Sequence, residues 1–451
     1  MLTSEKIDDK ERLNVLKQQG VKFVRLQFSD LHGISRGKVF PISEMERLPE
    51  HGIAFAGAVM TVDLRHNVVA GFETGLPDII ARPDLSTLVQ LPWEPEAAWC
   101  IANLEKPVSG MPFDVDSRNA LKQVIKRYEK IGLSPVVGPE LEFYLCKQDG
   151  ESPEGLKRYL DNDSHVYTTG SFTDPQGILE YLLENAAQLG LKAYAANHEY
   201  GRSQFEINLK HSLAMDSADR AFLFKTMIKE LSARKGLLAT FMGKPWNDDE
   251  GSGMHLHISL ARKDGSNAFC DPQKPGVLTD LGLHFVAGVL SRSVALTPLL
   301  NPTVNSYRRI NAKALAPTRV NWGYDNRFTL VRIPNETGAA TRVEIRSMDG
   351  TANPYLAYAG LLLAGLEGIE KKMQPPKAIE GFLYGLPEEE QGTPLPTSLQ
   401  EALAALEQDE ELRNDLGSEI TDTFIVIKKY ELDRYNQWVS DWELREYAHH
   451  L

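Results

Sequence analysis

Val136-Val137-Gly138-Pro139-Glu140-Leu141-Glu142-Phe143-Tyr144-Leu145 is a short apolar run that the two-residue period of a strand divides into two faces. Glu140, Glu142 and Tyr144 fall on one face, Leu141, Phe143 and Leu145 on the other. Two carboxylates on one strand face are unfavourable neighbours, because Glu is depleted in strands and like charges on a shared face repel. A positive group between them removes the conflict. For this strand alone a solvated acidic face is the plainer reading, but three further stretches alternate in the same way: 204–209 (QFEINL), 255–260 (HLHISL) and 342–346 (RVEIR). If the four share one curved sheet, their polar faces line one cavity holding Glu140, Glu142, Glu206, His255 and Glu344, with Glu199 just upstream. That set predicts a site for divalent metal ions.

The chain has 451 residues, more than one hydrophobic core usually organises, so two domains are expected. Its net charge of −13 argues against a general nucleic-acid binder and for a localised site. Cys100, Cys146 and Cys270 are too few and too scattered for a disulfide framework or a zinc site. The start, Met1-Leu2-Thr3-Ser4-Glu5-Lys6, has no basic segment followed by an apolar one, and no stretch reads as a membrane span. A cytoplasmic protein, without membrane or nucleic-acid partners, is the expectation.

Residues from Ser4 to about Gln19 read as a helix closed by Gly20, and Val21–Phe28 and Ile34–Ile42 as a hairpin around a turn at Asp30-Leu31-His32-Gly33. Strands and turns continue to about Leu104, and the breaker-rich run Lys106-Pro107-Val108-Ser109-Gly110-Met111-Pro112 marks a boundary. Helices are predicted over 116–131, 176–190 and 216–236, and from Asn353-Pro354 to about Lys372. The tail from about Ser398 is helical and polar.

Charge reverses over 301–346, where seven Arg and one Lys stand against Asp325, Glu336 and Glu344. Arginine forks suit carboxylates and phosphates, donating two parallel bonds to two oxygens. Beside a carboxylate-rich cavity they suggest an anionic substrate held against metals, the combination phosphoryl transfer needs. No Gly-x-x-x-x-Gly-Lys-Ser/Thr loop is present, so a nucleotide is not held in the P-loop manner.

Seven blocks in order carry a resemblance: 138–143 (GPELEF), 198–201 with 204–206 (HEYG, QFE), 244–246 (KPW), 251–257 (GSGMHLH), 301–309 (NPTVNSYRR), Asn326-Arg327 and 342–346 (RVEIR). They resemble the signature blocks of the glutamine synthetase family, and in pattern its γ-glutamyl-amine ligases for polyamines or monoamines. The resemblance implies an α+β fold: an N-terminal β-grasp domain over 1–107, and over 108–451 a catalytic domain with an antiparallel open barrel and surrounding helices. It implies two or more Mg²⁺ or Mn²⁺ ions per site, with Glu142, Glu199 and Glu206 on the glutamate side and Glu140, His255 and Glu344 on the ATP side. Oxygen and imidazole donors suit such ions. It further implies that Arg309 and Arg346, with Gly251, hold glutamate, that Arg327, Arg332 and Arg342 lie near the phosphates, and that His257 and Ser259 are nucleotide-side positions. Arg309, Arg327 and Arg346 would be catalytic. Family members form homo-oligomeric double rings with active sites between subunits.

The implied reaction joins the γ-carboxylate of glutamate to a nitrogen through γ-glutamyl phosphate, with ATP as co-substrate. Two departures bear on the nitrogen. Where ammonia-using members carry Asp in a Phe-Asp-Gly-Ser-Ser segment, this chain reads Phe55-Ala56-Gly57-Ala58-Val59, and where a flap carries Glu-Ala-Pro it reads Leu315-Ala316-Pro317. Both anionic groups expected around ammonium are replaced by carbon, which favours an organic amine. The alternatives are an ammonia-using glutamine synthetase and a non-catalytic structural relative; retention of the ligand set argues against the last. Glu250, where the family usually has Asn, reads as solvated loop charge, and Tyr384, where some members are adenylylated, as an ordinary loop tyrosine.

Overall fold

The structure is a computed structural model describing residues 8–150, 155–162, 165–311 and 316–451. The first helix runs Asp9–Gln18 and buries Leu13 and Leu16; the expected start at Ser4 lies outside the described residues. Five strands follow: β1 (Phe23–Ser29), β2 (Ser35–Pro41), β3 (Ile53–Ala56), β4 (Asp78–Leu91) and β5 (Glu94–Glu105). They form one sheet in the order β2-β1-β5-β4-β3, antiparallel except for the parallel pair β1 and β5. The predicted hairpin is β1–β2, turned at Asp30, whose Oδ1 accepts from the amides of His32 and Ile34 at 2.9 Å each.

The breaker run 106–112 follows the last strand of this sheet, and its Val108 is fully exposed. Asp116 then caps the helix Ser117–Lys130 by accepting from Arg118 N at 2.9 Å. That helix leads into the long strand β6 (Leu133–Gln148), the centre of a second sheet. The other members are β7 (Leu156–Arg158), β8 (Ala193–His198), β9 (Gln204–Leu209), β10 (Ser212–Leu213), β11 (Leu238–Thr240), β12 (Met254–Arg262), β14 (Trp322–Tyr324), β15 (Val331–Ile333) and β16 (Val343–Met348). Its main path is β14-β15-β16-β12-β6-β9-β8, with β7, β10 and β11 also pairing with β6. Among the described residues of this sheet only β14 and β15 run parallel. A further short pair joins β13 (Arg319–Val320) to β17 (Thr393–Pro394).

The sheet curls into a half barrel. Helices cover its convex side, because Leu141, Phe143 and Leu145 of β6 point there and pack with Phe205, Phe224 and Phe241. The predicted helices appear as Ile178–Gln188, Ala214–Arg234 and Pro354–Glu370. A further helix, Asp280–Leu300, carried little period in the sequence, being apolar over most of its surface. It is long and apolar enough to cross a membrane but lies mostly buried, as a core helix does. It packs against Pro354–Glu370 at a contact that only glycines allow: a Cβ on Gly288 would lie 2.1 Å from Ala364 O, and one on Gly368 2.1 Å from His284 O.

Candidate active site

Strand register assembles the site. Glu140 of β6 stands between His255 of β12 and Asn208 of β9, Glu142 opposes Glu206 of β9, and His257 of β12 opposes Glu344 of β16. Arg332 of β15 in turn opposes Glu344. The alternation of each strand sends these groups into one cavity of about 980 Å³ on the concave face. Its wall includes all six predicted ligands, Glu140, Glu142, Glu199, Glu206, His255 and Glu344, together with Gly251, His257, Arg309, Arg327, Arg332, Arg342 and Arg346.

The carboxylates differ sharply in their surroundings. Burial works to raise Glu140, but His255 and His257 outweigh it and hold the carboxyl well below its usual range. His255 Nδ1 lies 3.5 Å from Glu140 Oε2 and 3.7 Å from Glu344 Oε1. Glu344, also buried, is held at about 2 by His255, Arg346, His257 and Arg332; Arg346 Nη1 donates to its Oε1 at 2.5 Å and Arg332 Nη1 to its Oε2 at 2.7 Å. On the other side the charges that act most on Glu199 and Glu206 are those of neighbouring carboxylates. Glu206 is pushed up to about 9 by burial and by Glu140, Glu142 and Glu199, and Glu199 to about 7 by burial and Glu142. Glu142 is placed by Gly253 N, donating at 2.6 Å, and by Gln204 Nε2 at 2.8 Å.

The donor set fits hard divalent cations. One atom each of Glu140, His257 and Glu344 lie within 4.8 Å of one another, as do atoms of Glu140, Glu206 and His255. His257 Nε2 is buried 3.0 Å from Glu140 Oε1, while its Nδ1 accepts from Arg342 Nε at 3.0 Å. That bond leaves Nε2 facing the carboxylates. Arg309 is 5% exposed with no partner for Nη1 among the described residues, and its side chain lies across Gly251 and Gly253: a Cβ on either would come within 2.7 Å of it. A buried guanidinium with an idle donor beside a cavity is built for an anion.

The family description "Glutamine synthetase, catalytic domain" matches residues 114–447. The chain belongs to the glutamine synthetase family. It is 36% identical over 454 residues to a glutamine synthetase of Methanocaldococcus jannaschii, covering 97% of each chain, and 36% identical over 450 residues to one of Thermus thermophilus, covering 97% of this chain and 98% of that one. A solved structure described as "Apo GmaS without ligand" superposes with a TM-score of 0.86 at 32% identity, over 97% of this chain and 99% of the other. One described as a novel glutamine synthase homolog gives 0.80 at 27%, over 95% and 98%. The fold is thus the glutamine synthetase fold, and the enzyme an ATP-dependent ligase of a family that uses ATP, glutamate and divalent metals.

Within this glutamine synthetase fold the predicted residues fare unequally. The structure groups His257, expected on the nucleotide side, with Glu140 and Glu344 as possible ligands, and it places Glu140 in both clusters, because β6 lies between β12 and β9. Ser259 shares the face of His257 but is not in the cavity wall. Ala56 is exposed at the end of β3 and does not reach the cavity of its own chain. Leu315 lies outside the described residues, whereas Ala316 lines the cavity.

One reading is corrected and another extended. Glu250 is exposed, as expected of a solvated loop charge, and it also belongs to the cavity wall, beside Asp248 and Asp249, which Arg158 and Arg202 clamp with bonds as short as 2.6 Å. Tyr384 is not an ordinary loop residue, since it lines the cavity in a cluster with Phe328 and Phe382. Sequence reasoning also missed Tyr167, another wall residue, held at φ 63°. A tyrosine in the left-handed region is strained; neither its φ nor the aromatic cluster has a local sequence signal.

Proposed function

We propose that this enzyme forms an amide between the γ-carboxylate of glutamate and an organic amine through γ-glutamyl phosphate. The observation that carries the reading is Leu315-Ala316-Pro317, carbon where ammonia-using members resemble one another in an acid, with Ala316 lining the cavity. Likeness to GmaS, named for γ-glutamylmethylamide synthesis, supports it. Ammonium must exchange its water shell for anionic or carbonyl oxygens, and neither Ala56 nor Leu315 offers a side-chain oxygen. The names of the curated relatives favour a second reading, an ammonia-using enzyme.

In this reading Arg309 and Arg346 hold glutamate, with Gly251 leaving room, while Arg327, Arg332 and Arg342 neutralise charge on the transferring phosphoryl group. Glu140, Glu142, Glu199, Glu206, His255 and Glu344 would hold the divalent ions, which supply charge neutralisation and orientation of the phosphates. Residues 1–107 and 108–451 are proposed as the two domains, in a cytoplasmic homo-oligomeric ring where Ala56 of one subunit faces the site of the next. The test offers ammonia, methylamine, ethanolamine and putrescine side by side with glutamate and ATP. Organic γ-glutamyl amides should form with kcat/KM at least about tenfold above that for glutamine, given roughly 0.8 kcal/mol per buried methylene. Equal or better synthesis of glutamine overturns the reading.

A further inference from the structure

The cavity wall is rich in charge, but it also carries a packed cluster of aromatic rings. Phe328, Phe382 and Tyr384 pack edge to face, with ring centroids 5.2 Å (Phe328 to Phe382), 5.8 Å (Phe382 to Tyr384) and 6.2 Å (Phe328 to Tyr384) apart and planes at 81°, 71° and 78°. Such a triad is a preformed, low-entropy surface. It faces the cavity rather than the core, for Phe382 is 59% exposed and Tyr384 36%. The turns that carry the rings are fastened together: Asn326 Nδ2 donates to Gly381 O at 2.8 Å and to Ile379 O at 3.3 Å, and Leu383 between the two rings is fully buried. The surface is therefore held in place.

We infer that Phe328, Phe382 and Tyr384 form a subsite for the carbon body of the amine, so that the preferred substrates are primary amines with a hydrocarbon tail of several carbons. The inference rests on the organic-amine reading and adds where the tail lies. An exposed aromatic face among carboxylates and guanidinium groups gains by covering itself with carbon, and gains nothing from ammonia. The other carbon-rich occupant is the nucleotide base, since Phe328 follows Arg327, and it is the contact of Tyr384 that favours the amine. Ala316 shares the cavity wall with the triad, and Tyr384 Oη lies 3.5 Å from Thr318 Oγ1, two residues further on. The triad thus adjoins Thr318, which in sequence closely follows the position where the family's ammonium-facing acid is replaced by carbon.

The test compares methylamine, butylamine and ammonia as acceptors for the full-length enzyme, following phosphate release and identifying products by mass. The unmodified enzyme should favour butylamine over methylamine in kcat/KM by about tenfold or more, the effect of three added methylenes partly buried. Phe382→Ala should bring that ratio close to one, and Phe382→Leu should keep much of it; Phe382 is exposed enough for the fold to survive, which a melting curve checks. A ratio unchanged in Phe382→Ala overturns the subsite. So does a rise in the KM for ATP with the ratio preserved, which would assign the rings to the nucleotide base. If the unmodified enzyme instead prefers ammonia to every amine, the organic-amine reading itself fails, whatever Phe382→Ala does; if it uses amines but shows no chain-length preference, only the subsite fails.

Discussion

A guanidinium buried with an idle nitrogen is unfavourable until an anion arrives, and Arg309 is in that position. Arg309→Ala is expected to raise the KM for glutamate about 10- to 100-fold, the size of a lost hydrogen bond between charged groups out of water, with much less effect on ATP. Equal changes in both constants would make it a structural residue. Lys225 shows the opposite case, a buried cation away from the site. Its Nζ donates to Ala352 O at 3.0 Å, and burial, with repulsion from Lys229, lowers it to about 7 against the partial attraction of Asp349 and Asp30. Between about 7 and the ordinary value of 10.5 the unfolded chain binds more protons than the folded one, so stability rises with pH across that window, and the penalty is fully present below it. Lys225→Met should therefore raise the unfolding temperature at neutral pH, with a gain that fades toward pH 10; melting curves across that range check it. Residue types and their alternation made it legible from the sequence that Glu140, Glu142, Glu199, Glu206, His255 and Glu344 share one cavity. Which oxygen meets which nitrogen, and that Arg332 and Arg346 close on Glu344, depends on strand pairing that spacing within one strand does not encode.

Helix Asp280–Leu300 illustrates what periodicity hides. An amphipathic element announces its buried face, as Ser117–Lys130 does, but a helix apolar over most of its surface carries little phase to read. Its partner Pro354–Glu370 was legible by its start alone, where Asn353 accepts from the amides of Tyr355 and Leu356 and Pro354 takes the first turn. Neither sequence shows that Gly288 and Gly368 are where the two helices touch. Ala at either position should destabilise the protein by about 1–3 kcal/mol through overpacking against backbone that cannot yield, seen as a lower urea midpoint. An unchanged midpoint would mean that the helices can part without loss.

At the scale of the whole molecule the two sheets are tied through Arg118, on the helix between them. Its guanidinium donates to Asp219 Oδ1 and Oδ2 and to Asp84 Oδ2 at 2.8 Å each, and to Asn103 Oδ1 at 2.6 Å, so one side chain joins β4, β5 and the helix Ala214–Arg234. Tyr355 Oη also donates to Asp219 Oδ1, at 2.8 Å. Arg118→Ala leaves Asp219 buried without its cation and should cost about 3–5 kcal/mol, whereas Arg118→Met with Asp219→Leu should recover much of that loss; denaturant midpoints of the single and double variants decide. That the first sheet ends before the breaker run 106–112 was legible in the sequence, but a cross-tie made by residues far apart in sequence was not. β6 has a consequence in time as well as in space. It pairs with five strands, and the pairings that bring Glu140 to His255 and Glu142 to Glu206 close long loops, which puts them late in folding. The acidic groups therefore come together only as the sheet finishes closing, and their repulsion falls on that last step. Mg²⁺ or Mn²⁺ added during refolding should speed the slow phase and not merely hold the finished fold, so the nascent chain would depend on metal before it has any substrate to bind.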